Sequence, residues 1–190
     1  MKWPFIGLVA VFAAAIVGGG IAALCRRRPN IETDDIDGGV VKRYWADVPK
    51  VIKSTEIVTF HFEISLFAAC KTDGLGHRVY TLDAALKAGE VLVKYDWYDR
   101  QGGRDKGEYK ADADFMTRLQ EIVAAHNFAQ HNGYYHTVSG LPDMYGESLD
   151  IIYASGERIY VRDNQSCFLP HEAEKALIML FGAATKLEHE

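Results

Sequence analysis

Within GLPDMYGESLDIIYASGERIY, residues 140–160, the triplet Gly146-Glu147-Ser148 has the opening of a hydrolase nucleophile turn. Such a turn reads G-x-S-x-G and joins a strand to a helix, so that a strained backbone exposes the serine hydroxyl. Here the closing position is Asp150, and Leu149-Asp150-Ile151-Ile152-Tyr153 continues as a strand pattern. His136 and Asp143 are the nearest partners in sequence for Ser148, but a triad requires neighbours in space. The stretch is therefore expected to be a corner feeding a hairpin. Gly140-Leu141-Pro142-Asp143 and Gly146 turn the chain, and Gly156-Glu157 closes the hairpin.

The histidines offer a second chemistry. His126, His131 and His136 recur every five residues, which on a helix rotates each side chain by about 140° from the last. They do not converge on a metal ion that way. His61 and Glu63 share a strand face without a third ligand. Asp96 and Asp99 in KYDWYD resemble a paired-carboxylate arrangement, which catalyses glycoside hydrolysis only when a cleft fixes the separation and raises one pKa. Flanked by Tyr95, Trp97 and Tyr98, they read instead as an exposed strand rich in good strand formers. Asn164-Gln165-Ser166 matches a glycosylation acceptor, and the chain contains no P-loop, dinucleotide fingerprint or HExxH. No catalytic, cofactor-binding or metal-binding residue is assigned, and no cofactor is expected. The aromatic residues Tyr95, Trp97, Tyr98, Tyr134, Tyr135 and Tyr145 are the expected contact surface.

These residues need elements to position them. From Glu56, Val58, Phe60, Phe62, Ile64 and Leu66 alternate with polar neighbours, the period of a half-buried strand. KTDGLGH turns the chain, and RVYTLDAAL and EVLVKYDWYD read as two more strands around Ala88-Gly89. Asp112 or Asp114 caps a helix carrying Phe115, Leu119, Ile122, Val123 and His126, which Asn132-Gly133 stops. SLDIIYAS and RIYVRD form a hairpin, and Pro170 begins a last helix with Ala173, Leu177, Leu180, Phe181 and Ala184 on one stripe. The order β-β-β-α-β-β-α predicts an α+β domain: an antiparallel sheet of about five strands with two helices packed on one face.

The segment HNFAQHNGYYHTVSGLPDMYGESLDI, followed by YASGERIYVRDNQSCFLP and a closing helix, resembles an uncharacterised group of small bacterial domains from membrane-anchored or secreted proteins. They share a pattern of helix, Asn-Gly or Asp-Gly, strand, Tyr-x-x-Gly-Glu hairpin, Asn-containing loop, proline and helix. The resemblance covers roughly residues 115–181, and its motifs are turn residues. It implies a fold and a membrane-associated setting, and no activity.

Residues 3–25, WPFIGLVAVFAAAIVGGGIAALC, form an uncharged run of 23 positions. As a helix the run is roughly 35 Å long, enough to cross a bilayer. A cleaved signal has a shorter apolar core and a small-residue cleavage site, whereas this run ends in three arginines. Leu24 before Cys25 fits a lipoprotein signal poorly. The expectation is a single-pass anchor in membrane lipid over residues 1–28, a tether over 29–52 and a domain over 53–190. The arginines place that domain on the cytoplasmic side. Residues 29–190 carry 17 basic against 26 acidic side chains, so phosphate backbones are repelled and nucleic acid is excluded as a partner. The three cysteines, Cys25, Cys70 and Cys167, suit a reducing compartment; outside the cytoplasm Cys70 and Cys167 could pair. The function expected from these features is an anchored interaction or ligand-sensing domain with an unidentified protein or small-molecule partner. Its alternatives are a hydrolase using Ser148 or a histidine, and an extracytoplasmic structural component of an envelope complex.

Overall fold

The computed structural model describes residues 39–67, 69, 72, 74–112, 114–139 and 146–183. Their elements are β1 (Val40–Tyr44), β2 (Ile57–Ser65), β3 (Arg78–Lys87), β4 (Glu90–Asp99), β5 (Arg104–Ala111), α1 (Phe115–Ala125), β6 (Tyr134–Val138), β7 (Gly146–Tyr153), β8 (Arg158–Asp163) and α2 (His171–Leu180). A short 3₁₀ turn, Phe128–His131, lies between α1 and β6.

All eight strands form one sheet in the order β1-β6-β8-β7-β2-β3-β4-β5. Every neighbouring pair is antiparallel except β6 and β8, which run parallel. The expected five-stranded antiparallel sheet is thus corrected to a mixed sheet of eight. The five strands read from sequence are β2, β3, β4, β7 and β8; β1, β5 and β6 were missed for one physical reason. Edge and near-edge strands bury little, so they lack clean apolar alternation. The β5 segment RDKGEYKA has no fully buried residue, and YYHTV of β6 is half-buried throughout. The segment expected as a tether supplies β1.

The expected transmembrane run, residues 3–25, lies outside the described residues. Among the described residues no helix is long and apolar enough to cross a membrane. The single-pass placement, and the cytoplasmic side assigned with it, are accordingly withdrawn.

Alternation sets which side of the sheet is dry. Phe60, Phe62 and Ile64 of β2 lie opposite Ala84, Leu82 and Tyr80 of β3 and Ile151, Leu149 and Glu147 of β7. All the apolar members of this set are buried, as are Val91, Val93 and Trp97 of β4 and Ile159 and Val161 of β8. A register shift between Ile57 and Thr59 turns Ile57, rather than Val58, inward. Both helices cover this apolar side. Phe115 of α1 meets Phe181, at the end of α2, edge-on at 5.2 Å between ring centres, and Phe181 lies 5.6 Å from Phe60. Helix α1 stops at Ala125, before Asn132-Gly133, because Asn127 adopts a left-handed conformation with φ of 47°.

Asn132-Gly133 has a different task. The buried Asn132 amide donates to the carbonyls of Pro49 and Arg158, each at 2.9 Å, and accepts the Tyr160 N–H at 2.8 Å. It joins the segment after β1, the turn before β6, and β8. Gly133 has φ of 80°, and a Cβ there would stand 2.9 Å from the Trp45 carbonyl oxygen. At the other end of the parallel pair Asn164 plays the matching part. Its Oδ1 accepts the Val138 N–H at 2.8 Å, and its Nδ2 donates to the Val138 carbonyl at 3.1 Å. Asn132→Ala removes three buried hydrogen bonds and strands their backbone partners. It should destabilise the domain by about 3 kcal/mol in urea unfolding.

Candidate functional site

Two places gather side chains that could recognise a ligand: one corner of the uncovered sheet face, and a buried cluster beneath the first turn of α2.

Across most of its width the uncovered face neutralises itself. Register sets Tyr160, Asp150, His61, Asp83, Lys94 and Glu108 in one row across β8, β7, β2, β3, β4 and β5. Within and beside it, Arg158 donates to Asp150 at 2.7 Å, His61 Nδ1 pairs with Asp83 at 2.8 Å, and Lys94 meets Glu108 at 3.0 Å. Arg104 donates to Asp96 at 3.0 Å. Exposed pairs of this kind add little stability; their effect is to leave few uncompensated charges.

The corner at β1, β6 and β8 differs. Arg43 of β1, Tyr135 of β6 and Arg162 of β8 are register neighbours. Trp45 packs on Tyr135 and Tyr160, with ring centres 6.2 and 6.0 Å away. The Arg43 guanidinium lies over the Tyr135 ring at 5.9 Å, and Arg158 lies over Tyr160 at 5.0 Å. Neither Arg43 nor Arg162 makes an ion pair with a described residue. This corner is therefore cationic and aromatic on a domain that is acidic as a whole.

The second place is built by the loop between β8 and α2. The buried Asp163 carboxylate accepts the N–H groups of Gln165 at 2.8 Å and Ser166 at 3.1 Å, and the Ser166 hydroxyl at 2.6 Å. His136 Nδ1 lies 3.1 Å from its Oδ1. Burial works to raise the Asp163 pKa, but these donors outweigh it and hold the carboxylate below its ordinary value. The folded loop runs over the start of β7, where a Cβ on Gly146 would meet the Asp163 carbonyl oxygen at 2.5 Å. Glu147 Oε2 accepts the N–H groups of Phe168 at 2.7 Å and Leu169 at 2.8 Å. Its other oxygen, Oε1, is buried and accepts no N–H or O–H from the described residues, the nearby Glu174 carboxyl being able to share a proton with it only when one of the two acids is protonated. Glu174, from the first turns of α2, is buried beside it, and Cys167 comes from the loop. One donor atom from each of Glu147, Cys167 and Glu174 lies within 4.8 Å of the other two. His171 Nδ1 pairs with Glu174 Oε2 at 2.9 Å. Burial, followed by the adjacent Glu174 carboxyl, pushes the Glu147 pKa well above the carboxylate range, against the two backbone N–H groups.

The residues singled out from sequence disperse. Ser148 lies within β7, between Glu63 and Arg162, and makes no hydrogen bond to a described histidine. His126 ends α1 near Phe128, His131 sits 5.6 Å from the Phe168 ring, and His136 serves Asp163. Burial, then Lys50, lowers the His131 pKa. Asp96 pairs with Arg104, while Asp99 Oδ1 accepts the N–H groups of Gln101 and Gly103 in the β4–β5 turn, so the two do not face a common cleft. Of the six aromatics, Trp97 is buried in the core and Tyr95 donates to Asp105 at 3.2 Å. Tyr98 is exposed beside Phe67, Tyr134 donates to Asp163, and Tyr135 alone belongs to the cationic corner. Tyr145 lies outside the described residues.

The fold and these two places define an α+β domain with a mixed sheet and, among the described residues, one uncovered face. No family model matches the chain, and comparison with curated proteins and with solved structures finds no match either.

His61 gives a check on the electrostatics of the open face. Its hydrogen bond to Asp83 raises its pKa above 6.5 against the effect of burial, with Glu63 and Asp150 adding to the rise. A raised imidazole stabilises the fold below its unfolded pKa, and that contribution disappears as pH rises through the folded value. His61→Gln should therefore lower Tm at about pH 5.5 and leave it nearly unchanged at about pH 8.5 in thermal scans.

Proposed function

We propose that the domain is a recognition module that binds a carboxylate-bearing polypeptide segment on the uncovered face of its sheet, at the corner formed by Trp45, Tyr135 and Tyr160. The observation that carries this reading is the contrast in charge pairing. Along most of the face acids and bases satisfy each other, with Glu63 and Lys106 as exceptions, whereas at the corner two arginines, Arg43 and Arg162, flank Tyr135 without an acidic partner among the described residues. Arginine beside tyrosine and tryptophan is the composition of interface hot spots. The guanidinium fork matches a carboxylate, and the rings supply rigid apolar area. The hydrolase alternative has less support. Ser148 sits inside a strand ladder rather than on an exposed turn, and no base is hydrogen-bonded to it among the described residues.

Selection of a displayed random peptide library against the full chain tests this. The enriched sequences should be rich in Asp and Glu. Arg162→Glu and Trp45→Ala should each weaken binding of a selected peptide about tenfold or more, with Ser148→Ala without effect. Enrichment of no acidic sequence, or binding indifferent to Arg162 and Trp45, overturns the reading. Turnover of a substrate that Ser148→Ala abolishes would establish the hydrolase in its place.

A further inference from the structure

A carboxylate is rarely taken out of water without full compensation, and Glu147 is only 2% exposed. One of its oxygens is satisfied by two backbone N–H groups; the other is buried and, with both acids ionised, has no donor among the described residues. Beside it stands a second acidic side chain, Glu174, only 4% exposed, so that two acids occupy one dry site. Helix packing does not demand this. Both residues hold register positions that their elements otherwise give to apolar groups: Glu147 lines up with Leu149 and Ile151, and Glu174 with Leu177 and Ile178. An apolar pair there would remove the cost of drying two carboxylates, although it would leave the Phe168 and Leu169 N–H groups without their acceptor. What these two carboxylates share with the adjacent Cys167 thiol is the capacity to donate to a cation.

We propose that Glu147, Cys167 and Glu174 bind one divalent transition-metal ion of the zinc class, with His171 orienting Glu174 from outside the coordination sphere. The donor atoms already lie within 4.8 Å of each other. Tetrahedral coordination by oxygen at about 2.0 Å and sulfur at about 2.3 Å needs separations near 3.5 Å, a contraction that side-chain rotation supplies. A thiolate with two carboxylates suits zinc or cobalt better than magnesium or calcium, which prefer oxygen alone. Three protein ligands leave a fourth position for water. Cys167 and His171 are only half-buried, in contrast to the two carboxylates. Binding releases the thiol proton, together with any proton the two carboxyls hold, to solvent. His171 then acts as the outer partner that fixes a ligating carboxylate.

The test uses the full chain, stripped with a chelator and titrated with Co²⁺ and then Zn²⁺. One equivalent of Co²⁺ should give visible d–d bands and a near-ultraviolet thiolate-to-metal band, both removed by Zn²⁺, and Zn²⁺ should raise Tm. Cys167→Ser should abolish the thiolate band, whereas Cys70→Ser should keep it. Glu147→Gln and Glu174→Gln should each weaken Co²⁺ binding about tenfold or more, and His171→Ala by a similar factor. Circular dichroism identifies any variant that fails to fold, and the remaining carboxylate variant then decides. Absence of stoichiometric binding overturns the proposal, as does a thiolate band that survives Cys167→Ser. So does a Zn²⁺ effect on Tm that is equal in the wild type and in both carboxylate variants. A shared proton alone would show as a metal-free chain stabilised by Glu147→Gln and blind to Co²⁺, and it too would overturn the proposal.

Discussion

The parallel contact between β6 and β8 is the constraint around which the domain is arranged. It is short, with register partners only at Tyr135–Arg162 and His136–Asp163, yet β1 reaches the rest of the sheet only through β6. Backbone pairing that brief needs side chains in place of the missing ladder. Asn132 and Asn164 supply them at opposite ends, each amide acting as a peptide group would. Asp163 adds a third tie through His136 and Tyr134 while folding its own loop. The same carboxylate thus holds the sheet together and shapes the loop that brings Cys167 beside Glu147.

Charge on this domain has two regimes. On the uncovered face, away from the corner of Arg43 and Arg162, acids and bases alternate between strands and most of them meet across the ladder while staying hydrated. Beneath α2 the acids are dry, and their neighbours are backbone N–H groups, a thiol and each other. An acidic side chain in the first regime changes little when removed. In the second, its removal strands the groups it serves, the Phe168 and Leu169 N–H groups in the case of Glu147.

Much of the architecture was legible because burial writes itself as alternation. Strands β2, β3, β4, β7 and β8 are covered by helices on one face, and their sequences carry the period of two. Strand β6 is half-buried along its length and β5 is an exposed edge, so neither has an apolar side to announce it. The buried cluster had a trace that composition and motif searches pass over. Extending the inward positions Leu149, Ile151 and Tyr153 back by one step lands on Glu147, and extending Ile159 and Val161 forward lands on Asp163. A carboxylate on an apolar register is a signal in its own right. Ser148, its neighbour, drew attention through a motif and proves to be an ordinary strand residue. That Cys167 would meet Glu147 and Glu174 depends on a loop crossing, which no local pattern encodes. The aromatic corner was equally hidden, since Trp45, Tyr135 and Tyr160 come from three distant stretches.

That corner straddles the short parallel seam. Trp45 and Tyr135 belong to the β1–β6 side, Tyr160 and Arg162 to β8, and the rings touch across the join. A ligand gripping both sides would act as a strap over the weakest joint of the sheet. Occupancy would then be felt as mechanical stiffness: the outer pair of strands, held to the body by a few side-chain ties, would be riveted to it more firmly when the corner is filled.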